Sequence, residues 1–259
     1  MLAREIKQKL KRSQVSVGSW MTLAHPSIAE ILGRAGYEWV VIDLEHSAIS
    51  VAEALRLIIA VENGGAVPLV RLAGSDPLQC KAVLDSGAAG VLVPSINNKA
   101  EAEAAVRMAK YPPLGSRGVG LARAQGYGST FPEYIAAAND DTLVIVQIEH
   151  IDGVKNIEEI LSVPGIDGTF IGPYDLSMSL GVPGQLSHPD VLAAKKRVLE
   201  ATLARKLSAG IHLVHPGSAA AESRAAVAEG YTFLAHGTDM LMLAESARAL
   251  APGGPASRG

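Results

Sequence analysis

One cysteine, Cys80, in 259 residues leaves no partner for an internal disulfide and makes a reducing compartment, the cytoplasm, the default expectation. Excess charge is also missing. The formal net charge is −3, and no basic run follows the first dozen residues. Proteins that hold nucleic acid or anionic lipid gather Lys and Arg on one face, so neither partner is expected. No apolar run approaches the length that a bilayer span requires. The basic segment from Lys7 to Arg12 mixes cationic and apolar residues, which reads as a short amphipathic N-terminal helix and not as a targeting peptide with a continuous apolar stretch. Linkers, low-complexity segments and composition shifts are absent before a Pro/Gly tail at 252–259, so a single domain over 1–259 is the simplest organisation.

What is present is apolar and periodic. Hydrophobic residues make up 48% of the chain, enough to fill one large core. β-branched runs near 15–19, 38–43, 67–71, 89–93, 142–148, 167–171, 210–214 and 231–235 alternate with helical patterns. Such alternation predicts a closed (β/α)₈ barrel of the TIM type. An open doubly wound sheet is the alternative, but it leaves edges to protect and usually has a Gly-rich phosphate turn after its first strand, which this chain lacks. Two segments interrupt the rhythm. The Gly-rich loop 111–130 is long, and loops of that length are usually functional or mobile. The stretch from Gly172 to His188 holds a short helical turn and a Gly-Val-Pro-Gly loop, placed to lid the site or to pack between subunits.

A strand buried on both faces is apolar until it emerges, so its first polar residue marks the sheet end. In a parallel barrel the C-terminal ends converge on one pocket. By this rule β-strand ends contribute Asp43, Glu45 and His46, then Arg71, then Gln147 and Glu149, then Gly172-Pro-Tyr-Asp175, with Trp20, His215 and His236 also near ends. Glu149 and Asp175 are a hard, oxygen-rich pair without Cys or paired His nearby, which suits Mg²⁺, Mn²⁺ or Co²⁺ better than structural zinc. Arg71 offers paired donors to a carboxylate or an enolate oxygen. His46 is placed to exchange a proton, and Asp43, three residues earlier, is expected to orient its imidazole. Glu45 is a candidate partner for water on a metal. Taken singly, each carboxylate also reads as a helix N-cap or a solvated charge, Arg71 as a surface ion-pair partner, and His215 and His236 as packing residues. Asp85, in Leu-Asp-Ser-Gly, reads by itself as the end of a helix capped by Gly87.

Taken together, Gly18-Ser-Trp20, Val41-Ile-Asp-Leu-Glu-His46, Val70-Arg71, Leu84-Asp-Ser-Gly87, Val91-Leu-Val-Pro94, Tyr111-Pro-Pro-Leu-Gly-Ser-Arg-Gly-Val-Gly120, Val146-Gln-Ile-Glu149 and Phe170-Ile-Gly-Pro-Tyr-Asp-Leu-Ser177 resemble the HpcH/HpaI aldolases over about residues 5–250. The resemblance implies a metal-dependent pyruvate aldolase with Glu149 and Asp175 as metal ligands, Arg71 beside the pyruvyl oxygen and Gln147 at the pyruvate site. It also implies backbone contacts from Gly172, Pro173 and Tyr174 to the pyruvate carboxylate, a His46/Asp43 base dyad, Trp20 lining the pocket, and Asp85 reaching a neighbouring subunit's site in a trimer or hexamer. The small-molecule partners so implied are a 2-oxo acid and an aldehyde. Two departures stand out: Tyr174 replaces a small alanine of the family's Gly-Pro-Ala-Asp motif, and the loop after Gly118 is one residue shorter.

The same enolate site also suits an oxaloacetate decarboxylase or a CoA-thioester lyase, although no basic patch for CoA phosphates is evident. A 2-oxo acid binding protein is the non-enzymatic alternative. Lys81, Lys99 and Lys110 are expected on polar helix faces, which disfavours an imine mechanism. The stretch Met240-Leu-Met-Leu-Ala, with its Ala-rich continuation to 251, is more apolar than an exposed helix needs and is expected to pack against another subunit.

Overall fold

β-branched residues fill the strands and leave almost none of them accessible to solvent, as a barrel wrapped by helices requires. The computed structural model describes residues 3–252, so nearly all of the Pro/Gly tail lies outside the described residues. Its elements run α1 (Ala3–Lys11), β1 (Ser16–Met21), α2 (Pro26–Arg34), β2 (Trp39–Asp43), α3 (Val51–Gly64), β3 (Val67–Arg71), α4 (Pro77–Asp85), β4 (Gly90–Val93) and α5 (Lys99–Ala109). A short 3₁₀ stretch (Arg123–Gly128) precedes α6 (Phe131–Asp141) and β5 (Leu143–Ile148). Then come α7 (Ile151–Lys155), α8 (Ile157–Ile160), β6 (Gly168–Ile171), α9 (Pro173–Ser179), α10 (Pro189–Ala204), β7 (Ser208–Leu213), α11 (Pro216–Glu229), β8 (Phe233–Thr238) and α12 (Asp239–Leu250). The eight strands are parallel, pair in sequence order and close through β1 and β8, which is the (β/α)₈ barrel that the alternation predicts.

Helix starts follow the local chemistry. Ser50 and Glu53 form a reciprocal capping box at α3, and Asp76 and Asn98 cap α4 and α5. Side chains at alternate strand positions face the barrel axis. There Trp39, Val41, Leu69, Leu92, Ile145, Phe170 and Phe233 form one cluster, separate from the larger shell between strands and helices. Glycine makes room for the largest of them: a Cβ at Gly18 would meet the Trp39 ring at 2.1 Å, and one at Gly210 the Phe170 ring at 2.4 Å. The N-terminal helix closes the bottom. Ile6 and Leu10 of α1 join the axial cluster, and Lys7 Nζ donates to the Thr142 carbonyl at 2.9 Å and lies 3.0 Å from Asp167.

Two expectations need correction, on strand ends and on Lys110, and the structure places the Gly-rich loop. Strands β1, β7 and β8 extend beyond the apolar runs, because ladder pairing (Ser208 opposite Gly168, Thr238 opposite Trp20) continues past the first polar residue. Lys110 is not on a polar face: it is fully buried at the C-terminal end of α5, donating to the Asn139 and Thr142 carbonyls, and burial pushes its ammonium down to about 8. The Gly-rich loop follows α5, so it lies at the bottom of its own barrel, away from the strand C-terminal ends. Arg117 anchors it there, buried over the Tyr111 ring and paired with Asp85.

Candidate active site

On four of the eight strands the inward-facing row ends in a polar residue. Trp39 and Val41 lead to Asp43, Leu69 to Arg71, Ile145 to Gln147 and Glu149, and Gly210 to His212, so period-two alternation delivers all of them to one mouth. A cavity of about 190 Å³ opens there, lined by Trp20, His46, Arg71, Gln147, Gly172–Asp175, His212 and neighbouring apolar residues. A larger cleft, about 890 Å³, lies at the opposite end of the barrel between the 3₁₀ stretch and α6, where no strand C-terminus contributes.

Asp43 and Arg71 are register partners on β2 and β3, which sets them side by side. Arg71 Nε donates to Asp43 Oδ1 at 2.9 Å and Nη2 bonds Oδ2, a bidentate pair, while the guanidinium sits 4.9 Å over the Trp20 ring. Trp20 Nε1 donates to Asp43 Oδ2 at 3.1 Å, and the backbone N–H groups of Glu45 and His46 donate to Oδ1. Burial alone would raise the Asp43 carboxyl, but the bonds and charge of Arg71, helped by Trp20 and Glu45, hold it below the usual range. The expected orientation of the His46 imidazole by Asp43 is therefore corrected: the turn brings Asp43 onto the backbone N–H of His46, and the imidazole, 62% exposed, stands 3.9 Å from Glu45.

Glu45 lies 2.9 Å from Arg71 Nη1, yet its Oε2 is buried without an aligned hydrogen bond. Burial first, against the pull of Arg71, and then repulsion from Glu149, Asp43 and Asp175 push it up to about 7. Glu149 Oε1 accepts from Ser95 N at 2.7 Å and Ser95 Oγ at 3.0 Å, and its Oε2 accepts from Gln147 Nε2. Gln147 Oε1 is buried and unpartnered. Glycine at 172 keeps this spot clear, since a Cβ would stand 2.7 Å from Glu149 Oε2 and 3.3 Å from Gln147 Nε2 and would push those side chains aside. Asp175 lies in the first turn of α9 at the mouth, beside the exposed Tyr174.

This donor set fits a divalent cation. Carboxylates crowd one mouth with Arg71 as their compensating charge, and the open cradle at Gly172 faces the Glu149 oxygen. Among the described residues no group of three or more His, Cys, Asp or Glu is arranged to enclose a metal, so two protein carboxylates would leave most of the coordination shell to water and substrate oxygens.

The structure does not bring Asp85 to this mouth. It ends α4 at the bottom of the barrel, paired with Arg117, so in its own chain it cannot touch the cavity. His215 is exposed, and His236, held below its ordinary value by burial, has an unpartnered Nε2 outside the cavity lining. Two residues escaped the sequence reading. Ser95 lies two residues past β4, after Pro94, and adopts φ +56, an uncommon value for serine that aims both its N–H and hydroxyl at Glu149. His212 stacks on Trp20 with ring centroids 4.7 Å apart, and Nε2 lies 2.9 Å from the Gly237 carbonyl. The first polar residue after β4 was a readable signal for Ser95; an isolated histidine inside an apolar strand gave little.

A closed parallel barrel with a carboxylate-rich mouth and a clamped arginine at its strand C-terminal ends has the layout of a (β/α)₈ enzyme site. The chain belongs to the HpcH/HpaI aldolase/citrate lyase family, whose model matches residues 16–246. It is 38% identical over 242 residues to 2-dehydro-3,6-dideoxy-6-sulfogluconate aldolase of Pseudomonas putida, covering 93% of each chain. It is equally similar, 38% over 252 residues, to 4-hydroxy-2-oxo-heptane-1,7-dioate aldolase of Escherichia coli, covering 96% of this chain and 94% of the other. A crystal structure of a family member from Burkholderia cenocepacia superposes with a TM-score of 0.89 at 34% identity, covering 95% and 96% of the two chains. Among the described residues no helix is long and apolar enough to cross a membrane.

Proposed function

We propose that this enzyme is a divalent-metal-dependent aldolase that reversibly cleaves a 4-hydroxy-2-oxo acid to pyruvate and an aldehyde. The observation that carries this reading is the fixed Arg71 guanidinium, clamped by Asp43 beside the Glu149/Asp175 carboxylates at one small mouth. Glu149 and Asp175 would hold a divalent cation such as Mg²⁺, Mn²⁺ or Co²⁺, which would supply Lewis-acid polarisation of the 2-oxo group. Arg71 adds its charge to the oxygen that becomes anionic when the C3–C4 bond breaks, and it is already oriented, so little reorganisation is needed. The backbone from Gly172 to Tyr174, in which Pro173 has no N–H to give, would hold the pyruvate carboxylate, and Gln147 would face its keto side. Trp20 packs behind Arg71 and excludes water. His46, exposed at the mouth and next to Glu45, takes the C4 hydroxyl proton and returns it in the condensation direction. Asp43 acts through Arg71, as a positioning residue.

Tyr174, exposed in the cavity lining, is the residue we assign to the aldehyde half of the substrate. Tyr174→Ala is expected to change the ranking of aldehydes by kcat/KM; an unchanged ranking removes this role. We also infer a homo-oligomer, a trimer or hexamer. Leu243 of α12 is 60% exposed and Met240 also open, an apolar face that association would cover, and Asp85 then serves a neighbouring site if it serves any.

The direct test is pyruvate release from 4-hydroxy-2-oxo acids and from oxaloacetate, with each metal and with excess EDTA. Metal-dependent release from the hydroxy-oxo acids is expected. Release from oxaloacetate alone favours a decarboxylase, and none at all favours a thioester substrate or simple binding.

A further inference from the structure

His212 reaches the cavity from β7, two residues past Gly210 on the inward-facing row. A carbonyl oxygen can only accept, so the 2.9 Å contact with Gly237 puts a proton on Nε2. Burial, reinforced by the positive charge of Arg71, depresses the ring to about 4 against the opposing Gly237 bond, so it is neutral. Nδ1 is then a bare lone pair. No hydrogen bond to it is present among the described residues, and the ring is held flat against Trp20. The cavity thus carries a preset hydrogen-bond acceptor that the cleavage chemistry does not use. Its one permanent cation, Arg71, is already engaged by Asp43 and Glu45, and Asp175 adds negative charge at the mouth. No lining residue is free to neutralise a carboxylate tail.

We propose that His212 is a specificity-determining residue whose Nδ1 accepts a hydrogen bond from a hydroxyl on the aldehyde-derived half of the substrate, so that the preferred aldehyde is uncharged and hydroxylated. This rests on the aldolase reading. Pyruvate presents only acceptor oxygens, and the C4 hydroxyl proton is committed to His46, so the donor must lie further along the aldehyde. A polar site left unpaired by a deoxy analogue discriminates against it strongly, whereas an apolar pocket does not.

The test measures condensation of pyruvate with carbon-matched pairs, glycolaldehyde against acetaldehyde and glyceraldehyde against propanal, and with succinic semialdehyde. For the wild-type enzyme the hydroxylated member is expected to lead in kcat/KM by about tenfold or more. In His212→Leu, which keeps the volume and deletes the acceptor, the ratio is expected to fall toward one; His212→Gln, whose amide oxygen can accept, is expected to recover part of it. A ratio that survives in His212→Leu overturns the proposal, because a ring that merely props Trp20 would affect both members alike. Should His212→Leu fail to fold, the wild-type measurement still decides: equal rates within each pair, or a preference for succinic semialdehyde, overturns the assignment. Condensation with no aldehyde at all overturns the aldolase reading and this inference with it, whereas condensation without hydroxyl preference overturns this inference alone.

Discussion

Asp43 and His46 were paired by their spacing in sequence, and the structure gives them separate work. Asp43 faces the axis and holds Arg71; His46 is at the mouth with its ring in solvent. Their variants are therefore expected to differ. Asp43→Ala removes the bidentate partner of buried Arg71 and leaves only Glu45 beside it, which costs about 3 kcal/mol and lowers Tm along with turnover. His46→Ala is expected to reduce kcat by about 100-fold or more while stability stays within roughly 0.5 kcal/mol. Thermal melts and steady-state rates on both variants check this; a stable Asp43→Ala protein would contradict the clamp. Glu45 supplies a pH signature. Its folded value near 7 lies above the ordinary 4.5, so the folded state binds the extra proton, and stability from this group is full below about 4.5 and lost as pH rises towards 7. Without added metal, Glu45→Gln is expected to raise Tm by roughly 2–6 °C at pH 8 and to change it little at pH 5. Equal effects at both pH values would contradict it.

Among the elements, all eight strands were legible, because buried parallel strands are continuous apolar runs and the helices between them keep a different period. Their ends were less legible where pairing outran apolarity, as at β7 and β8. The polar residues at which the apolar runs end also marked Asp43, Arg71, Gln147 and Glu149 as mouth residues. What such run ends do not contain is the partner of each side chain. The Asp43–Arg71 clamp depends on register between β2 and β3, and the burial of Lys110 on how α5 and α6 meet beneath β5. The amphipathic reading of the first residues held for α1, though its apolar side turned out to seal the barrel. Ile6→Ala is accordingly expected to cost about 2–4 kcal/mol and leave KM for the 2-oxo acid unchanged, because Ile6 is fully buried at the end opposite the site. A shifted KM at unchanged stability would contradict that placement.

At the scale of the whole molecule, the barrel separates stability at its base from chemistry at its mouth, and one chain leaves loose ends on both. Asp85 and the Gly-rich loop sit at the base, and the apolar face of α12 stays open. An oligomeric mass in sedimentation, shifted toward smaller species by Leu243→Glu, is expected if α12 is an interface; a monomeric wild-type mass would contradict it. The central claim, a pyruvate enolate stabilised by Arg71 and a divalent cation, is independent of the aldehyde. It is tested most directly by following the methyl signal of pyruvate by NMR in D₂O with enzyme alone. The account predicts deuterium exchange with Mg²⁺, Mn²⁺ or Co²⁺ that EDTA abolishes and Arg71→Ala suppresses; no exchange with any metal, or exchange indifferent to EDTA, would contradict it.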